Sequence, residues 1–347
     1  MEKWYDIPGE NDSVVISSRV RLARNLAGLN FEGRIGDADA GDLIEKIADE
    51  KDNIAAQVKQ KLNFIEVETL SDEKKQVLME RHLISQSLAD KKMPAGLIAS
   101  EDDGISIMIN EDDHLRIQCV KSGSAIDNAY ILADKIDDYI GSKWDYSFDN
   151  KYGYLTSSLS DCGTGLKASF LLFLPGISLA NRIQKLADEV GKFGIAIRGS
   201  YGEGTKSEGF IYQLTSTRTL GVSEHEIMDN ISQIVLQIVD QENKLRKYIL
   251  SNSREEIADK IFRSYGVLRY AKSLSTQDAT MMLSQLKLGQ ENDIIKFRDD
   301  ENIYGMMVAI RQGSIQEIAG RKLGKVERDR FRANYLNMRM SAMELIE

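Results

Sequence analysis

Ile105-Ser106-Ile107-Met108-Ile109-Asn110-Glu111-Asp112-Asp113-His114-Leu115-Arg116-Ile117-Gln118-Cys119-Val120 is the stretch whose reading decides the fold. Apolar runs at 105–110 and 114–120 flank the polar insert 111–113, a pattern of strand, hairpin tip and strand. A tight hairpin makes its two strands antiparallel. Working outward, similar runs bounded by turn residues predict strands at 13–17, 167–174, 195–198 and 210–214. Helical spacing fills 40–62, 124–140, 179–193 and the segment from Ser223 to about Leu250. Ser223 and Glu226 form a capping box ahead of the stripe Ile227, Ile231, Ile234, Val235 and Ile238. Beyond Ser251 the strand pattern stops, and 254–262, 275–286 and 302–322 read as amphipathic helices, with Ser275 and Asp278 at an N-terminal cap. The expected partition is an α/β or α+β domain over 1–250 followed by a smaller all-α domain over 251–347.

Composition narrows the function classes. A chain of 347 residues is long for one core, and 42% hydrophobic residues suits a globular protein rather than a disordered one. A net charge of −9 argues against a general nucleic-acid binder, which needs a basic face for phosphates. Cys119 and Cys162 cannot build a disulfide framework, and His82, His114 and His225 are too far apart to read as a zinc site. The N-terminal residues 1–11 hold no apolar signal core, and no run approaches the roughly 18 apolar residues of a membrane span. No membrane partner is expected, and the cytoplasm is the expected compartment.

Four short segments could carry chemistry. In Ser17-Ser18-Arg19-Val20-Arg21, directly after the first strand, Arg19 and Arg21 share a side if the chain stays extended. Two guanidinium forks on one face suit phosphate oxygens, although a solvated edge strand would look the same. Glu111, Asp112 and Asp113 repel one another at the tip, so a metal, its waters or a guanidinium should lie near, unless the turn is simply a soluble acidic one. In Cys162-Gly163-Thr164-Gly165-Leu166-Lys167-Ala168-Ser169 the glycines allow close backbone approach to a ligand and Lys167 could meet a phosphate. The P-loop spacing is absent, and a plain loop entering a strand reads equally well. Last, Arg198-Gly199-Ser200-Tyr201-Gly202-Glu203-Gly204 delivers an arginine into a glycine-rich loop with one carboxylate. Such a loop can close over a substrate, or be a surface loop without function.

Together, S-S-R-V-R, N-E-x-D-H-L-R, G-T-G-L-[RK]-A-S and R-G-x-Y-G-E-G, in this order over roughly Val14 to Leu250, resemble the motif series of the guanidino (phosphagen) kinases. The resemblance implies an antiparallel sheet flanked by helices, ATP as phosphoryl donor and Mg²⁺ held through the ATP phosphates and water, with Glu111 near the ion. It places Ser17, Ser18, Arg19, Val20, Arg21, Arg116, Lys167, Ala168, Ser169, Phe170, Leu171, Arg198, Gly199, Ser200, Tyr201, Gly202 and Glu203 at the nucleotide. His82, in Glu80-Arg81-His82-Leu83, matches a nucleotide-contacting position of the bacterial members.

The chemistry fits the motif series. Phosphoryl transfer rests on positioning and charge stabilisation, which fixed cations around a triphosphate supply. The acceptor is harder, because a guanidinium has a pKa above roughly 12 and its protonated nitrogens are poor nucleophiles. A carboxylate pair can clamp it, align one nitrogen and accept a proton; the resemblance gives those roles to Asp112 and Glu203.

Three positions depart from the pattern. Asp112 replaces the usual Glu and is one methylene short, which lowers efficiency unless the tip compensates. Ser158 stands at the reactive Cys of C-P-[ST]-N, with Leu159-Ser160-Asp161 replacing the rest, and a hydroxyl brings no thiolate charge to the guanidinium. Lys167 replaces an Arg, which keeps the charge and loses the fork.

The small-substrate kinases carry a helical domain ahead of the first motif, whereas Met1–Ile16 precede it here. The helical C-terminal domain instead resembles that of the bacterial protein-arginine kinases of the McsB type. On a helix, Arg328 and Arg332 share a face, and Arg328-Asp329-Arg330-Phe331-Arg332-Ala333 matches the R-D-x-x-R-A phosphoarginine pocket of that branch. The resemblance therefore implies allosteric phosphoarginine binding by Arg328, Asp329, Arg332 and Ala333, and a homodimer. It further implies arginine-presenting protein substrates marked for a Clp-type chaperone-protease, and an activator protein. Two other readings stay open: a kinase of free arginine or another small guanidine, and a phosphoarginine-binding adaptor with a weakened kinase site.

Overall fold

The computed structural model describes residues 2–200, 207–297 and 302–343. Along them run β1 (Val15–Arg24), α1 (Asp37–Asp49), α2 (Lys51–Val58), β2 (Leu62–Glu66), α3 (Asp72–Glu80), α4 (Gln86–Ala89), β3 (Gly96–Ser100), β4 (Ile105–Ile109), β5 (Leu115–Ser122) and α5 (Ile126–Lys143). There follow β6 (Phe148–Asp149), β7 (Gly153–Tyr154), β8 (Leu166–Phe173), α6 (Pro175–Leu179), α7 (Ile183–Gly191), β9 (Ile195–Gly199), β10 (Ile211–Ser216) and α8 (Glu224–Tyr270). The chain then holds α9 (Thr276–Gln290), α10 (Ile303–Ala309), α11 (Gln312–Ala319) and α12 (Lys325–Ala342).

The hairpin read from the sequence forms: β4 and β5 pair antiparallel with Ile109 opposite Leu115. It sits inside an eight-stranded sheet of order β2-β3-β4-β5-β1-β8-β10-β9, in which β2–β3, β3–β4 and β5–β1 are also antiparallel. The first strand is longer than its apolar pattern suggested, because the arginines continue it to Arg24. Alternation then sorts its side chains, with Val20 and Leu22 buried on one face and Arg19 and Arg21 on the other. α5 packs on β1 and β5 and turns Ala129, Ala133, Ile136 and Ile140 inward. On β3 and β4 the residues Leu97, Ala99 and Met108 join a second cluster with Leu83, Ile84 and Leu88, contributed by the chain around α3 and α4.

Two helices of the sequence reading divide, and four short strands, β2, β3, β6 and β7, were not foreseen. The 40–62 pattern becomes α1 and α2, with Lys59 in the left-handed conformation ending the second before β2 begins. β2 and β3 are short and lack the clear alternation of a half-buried strand. The 302–322 pattern becomes α10 and α11, broken at Arg311, whose extended backbone starts the second. Ser223 and Glu226 do cap α8: the Ser223 N–H donates to Glu226 Oε2 (2.6 Å) and the Glu226 N–H to Ser223 Oγ (3.2 Å). That helix carries a kink at Ser253, with φ −139° and ψ 32°.

The described chain contains two compact units. The first holds Met1–Phe170, Val190–Ala196 and Leu214–Val235; the second holds Leu171–Glu189, Ile197–Gln213 and Leu236–Glu347. Within the second, Glu242 is fully buried, pairs with Arg246 at 2.6 Å and accepts the N–H groups of Gly176 (2.7 Å) and Ile177 (2.9 Å). The carboxylate thus satisfies amides at the start of α6 that the helix leaves without partners. No helix among the described residues is long and apolar enough to cross a membrane.

Candidate functional site

Cation by cation, the site in the first unit is assembled by the pairing of β1 with β5. Arg21 lies opposite Gln118, Ala23 opposite Arg116 and Arg19 opposite Val120, so the polar residues of both strands share one face. Gln118 bridges the row to the neighbouring segment: it accepts from Arg19 Nη1 (3.5 Å) and donates to the His82 carbonyl (2.6 Å). His82 itself stands in the left-handed conformation at the end of α3, with φ 60°. Arg21 Nε is buried with no hydrogen-bond partner. Burial and the nearby Arg116 push its pKa down to about 10, against the pull of Asp161 and Glu111. A partly buried guanidinium in that state favours an anion. Ser17 and Ser18 lie buried in the same strand, and Ser18 Oγ donates to the Gly123 carbonyl (2.6 Å), a structural contact.

The hairpin tip answers the question its three carboxylates pose. Glu111 is fully buried against Arg116 Nη1 (2.6 Å) and accepts from Ser85 Oγ (2.5 Å). Asp112 keeps half of its side chain exposed, accepts from Ser87 Oγ (2.7 Å) and lies 3.7 Å from Arg116 Nη2. Asp113 turns inward and takes the Asn25 amide (2.7 Å) and the Ser157 N–H (2.7 Å). Asn110 opens the tip at φ 59° and donates to the carbonyls of Ala40 and Pro94 (both 3.0 Å), while His114 closes it by accepting the Leu26 N–H at Nδ1 (3.1 Å). The cation the tip requires is thus a guanidinium of the chain itself, and Asp112 is the one tip carboxylate facing solvent.

The 155–169 segment adds Lys167 to these cations and carries Ser158. Lys167 Nζ pairs with Asp161, a buried residue whose field also reaches Arg21. Ser158 is exposed, its hydroxyl shared with Ser160 Oγ (2.8 Å). Cys162 Sγ contacts Thr156 Oγ1 (3.3 Å). The glycines let the protein's own atoms approach closely: a Cβ at Gly165 would come within 2.6 Å of the Ala23 carbonyl oxygen and of Arg24 Nη1. Ala168 and Phe170 are buried in β8, and Ser169 Oγ meets Thr215 Oγ1 at 3.0 Å.

Sequence reasoning missed four partners. Ser85 and Ser87 left no local signal, since they meet the site only through folding, and Asp161 stood out only as a departure from the C-P-[ST]-N motif. Arg24 did leave one, because alternation along β1 puts it on the apolar side with Val20 and Leu22. A charge there needs a partner. Asp137 of α5 supplies it through three contacts of 2.7–3.1 Å, and the Tyr154 ring lies 3.6 Å from the guanidinium carbon.

Residues 42–245 match the family model of the ATP:guanido phosphotransferase C-terminal catalytic domain, and 254–346 match that of the protein-arginine kinase McsB C-terminal domain. A protein-arginine kinase of Clostridium kluyveri is 38% identical over 98% of this chain and 99% of its own length. One of Pelotomaculum thermopropionicum is 37% identical over 96% and 94%. The chain belongs to the guanidino kinases, in the protein-arginine kinase family. It is an ATP:guanido phosphotransferase. The fold agrees: the duplicated taurocyamine kinase of Schistosoma mansoni superposes with TM-score 0.62 at 20% identity, over 93% of this chain and 50% of that one. A lombricine kinase superposes with TM-score 0.55 at 19% identity, over 69% and 68%.

In the second unit of this kinase Leu171 is buried in β8, Arg198 is exposed at the end of β9, and the N–H of buried Ser200 donates to the Ile211 carbonyl (2.9 Å). Gly199 closes β9; Tyr201, Gly202 and Glu203 lie outside the described residues. On α12, Arg332 is buried, with Nε on the Ile310 carbonyl (2.8 Å) and Nη1 on both the Leu274 carbonyl (2.7 Å) and Asp329 Oδ1 (2.6 Å). Burial lowers its pKa against the pull of Asp329. Arg328 Nη1 donates to the Leu323 carbonyl (3.0 Å), and Ala333 is fully buried. Arg332 therefore joins α12 to the segments that precede α9 and α11.

Proposed function

We propose that this kinase transfers the γ-phosphoryl group of ATP to arginine side chains of proteins. The observation that carries the reading is the row of Arg19, Arg21 and Arg116, with Lys167 linked to it through Asp161, beside a half-exposed carboxylate and with Arg21 Nε buried and unpartnered. Cations so fixed hold the triphosphate and stabilise charge on the transferring group without reorganising. Asp112, oriented by Ser87, clamps the acceptor guanidinium and takes a proton from the attacking nitrogen. Glu203 shares that clamp by resemblance, as Arg198 to Gly202 share the nucleotide, and these assignments rest on the motif alone.

Mg²⁺ is to be carried by phosphate oxygens and water, as suits an ion that dehydrates reluctantly. Among the described residues no group of three or more His, Cys, Asp or Glu is placed to hold a metal ion, and Glu111, already committed to Arg116 and Ser85, would touch the ion's waters at most. Protein rather than free arginine is supported by the relatives' name and by the match of 254–346. We place catalysis in 1–250 and phosphoarginine sensing and dimer formation in 251–347. By resemblance the products are degradation tags for a Clp-type protease, made in the cytoplasm under an activator protein.

Incubation with Mg-ATP and either a casein-like protein or free arginine tests the reading, with ³¹P NMR and mass spectrometry reporting acid-labile phosphate. Phosphoarginine in the protein, lost in Glu203→Gln, is expected. Phosphate on free arginine alone would make this a small-guanidine kinase. No turnover, with phosphoarginine bound in a way Arg332→Ala abolishes, would make it an adaptor.

A further inference from the structure

Lys167 and Asp161 both depart from the guanidino-kinase pattern, which carries Arg and Asn at those positions, and in the folded protein they are each other's partners. Asp161 is 6% exposed and is fixed in place: its N–H donates to the Ser158 carbonyl (3.0 Å) and its Oδ1 accepts from Ser160 Oγ (2.9 Å). Its carboxylate is therefore held beside Lys167 in the folded protein. Its charge also acts on Arg21. The row of Arg21, Arg116 and Lys167 thus contains two built-in anions, Glu111 on Arg116 and Asp161 on Lys167. Glu111 belongs to the shared motif, whereas Asp161 departs from it.

The pairing matters because of how the two cations differ. An arginine fork can keep one edge on a carboxylate and turn the other to a phosphate, whereas an ammonium is a compact point charge that one close carboxylate largely engages. A phosphate oxygen approaching Lys167 must share it with Asp161 and meet a like charge in a partly desolvated place.

We infer that Asp161 is an internal competitor of the nucleotide's phosphates, which holds Lys167 in the free protein and sets a weaker affinity for ATP than the same cations would otherwise give. The inference rests on the reading of the row as the phosphate site. It makes Asp161 a determinant of nucleotide affinity and not a member of the acceptor clamp.

Titration calorimetry of the full-length protein with Mg-ATP, Mg-ADP and adenosine tests it, in wild type, Asp161→Asn and Asp161→Ser. Asn keeps the shape and Ser removes it, so a gain common to both belongs to the lost charge; thermal melts identify any variant that fails to fold. Mg-ATP is expected to bind about tenfold more tightly in both variants, Mg-ADP less so and adenosine unchanged. The gain should shrink as KCl is raised. Equal or weaker Mg-ATP binding in a folded variant overturns the inference, as does an equal gain for adenosine. A fall in turnover with ATP affinity unchanged would also overturn it, by moving Asp161 to the acceptor. Wild type and variants that all fail to bind Mg-ATP would sink the nucleotide reading itself, a result separate from any of these.

Discussion

Arg21 and Arg24 stand three residues apart on one strand, and the protein treats them in opposite ways. Arg24 is 1% exposed and saturated, held by Asp137, by the carbonyls of Ala23 (3.0 Å) and Thr164 (2.9 Å) and by the Tyr154 face. Burial works against its charge, yet Asp137 keeps its pKa above the ordinary arginine value. Arg21 has another cation nearby and a buried Nε without a partner, and its pKa falls to about 10. A charge whose partners are built in holds the fold together. A charge left short of partners is a stabilising interaction withheld until a ligand supplies it. Arg332 in the second unit resembles Arg24 more than Arg21, since its contacts run to carbonyls and a carboxylate of its own chain.

The comparison can be broken most directly at Arg21. Arg21→Met should lower kcat/KM for phosphoryl transfer by about 10³-fold, the order seen when a charge-stabilising arginine is lost, while the melting temperature holds or rises. A melting temperature that collapses would show Arg21 to be structural after all. Arg24→Met should do the reverse and destabilise by about 3–5 kcal/mol, because Asp137 is left buried and unpaired. Urea unfolding checks this, and Arg24→Met with Asp137→Leu should recover much of the loss.

Next in size is the Asp112 carboxylate. Its hydrogen bond to Ser87 indicates a tip adapted to the shorter side chain, so Asp112→Glu should slow turnover about tenfold rather than speed it. Ser87→Ala should cost about the same in kcat, with KM for ATP unchanged. A faster Asp112→Glu enzyme would mean the missing methylene is a handicap. The smallest expected effect is with pH. Arg21 is charged below its folded pKa, so Mg-ATP affinity should weaken as pH rises through about 10, and in Arg21→Met this step should be absent. The sign for stability is opposite: the charged form is the one disfavoured by folding, so the residue's penalty eases as it deprotonates.

Much of this was legible in the sequence. The hairpin, the sheet-forming runs and the caps at Ser223 and Ser275 follow from local pattern, because periodicity and capping depend on residues within a few positions of one another. The four motifs point to the family and supply Arg19, Arg21, Arg116 and Lys167 as cations. β2 and β3 were hidden, since strands without clear alternation look like loop or buried helix. The 302–322 helix divides at Arg311 through its backbone conformation, which helical spacing does not report.

What the sequence by itself determined about this protein is therefore the kind of charges it holds and the order in which the chain presents them. Only the tertiary structure decided which charges are already answered. Glu111 meets Arg116 across the tip, Asp161 meets Lys167, Arg24 meets Asp137 across 113 positions, and Arg332 meets a carbonyl 58 positions away. The physical reason is that a side chain's type is local, whereas its desolvation and its partners are set by whatever the fold brings against it.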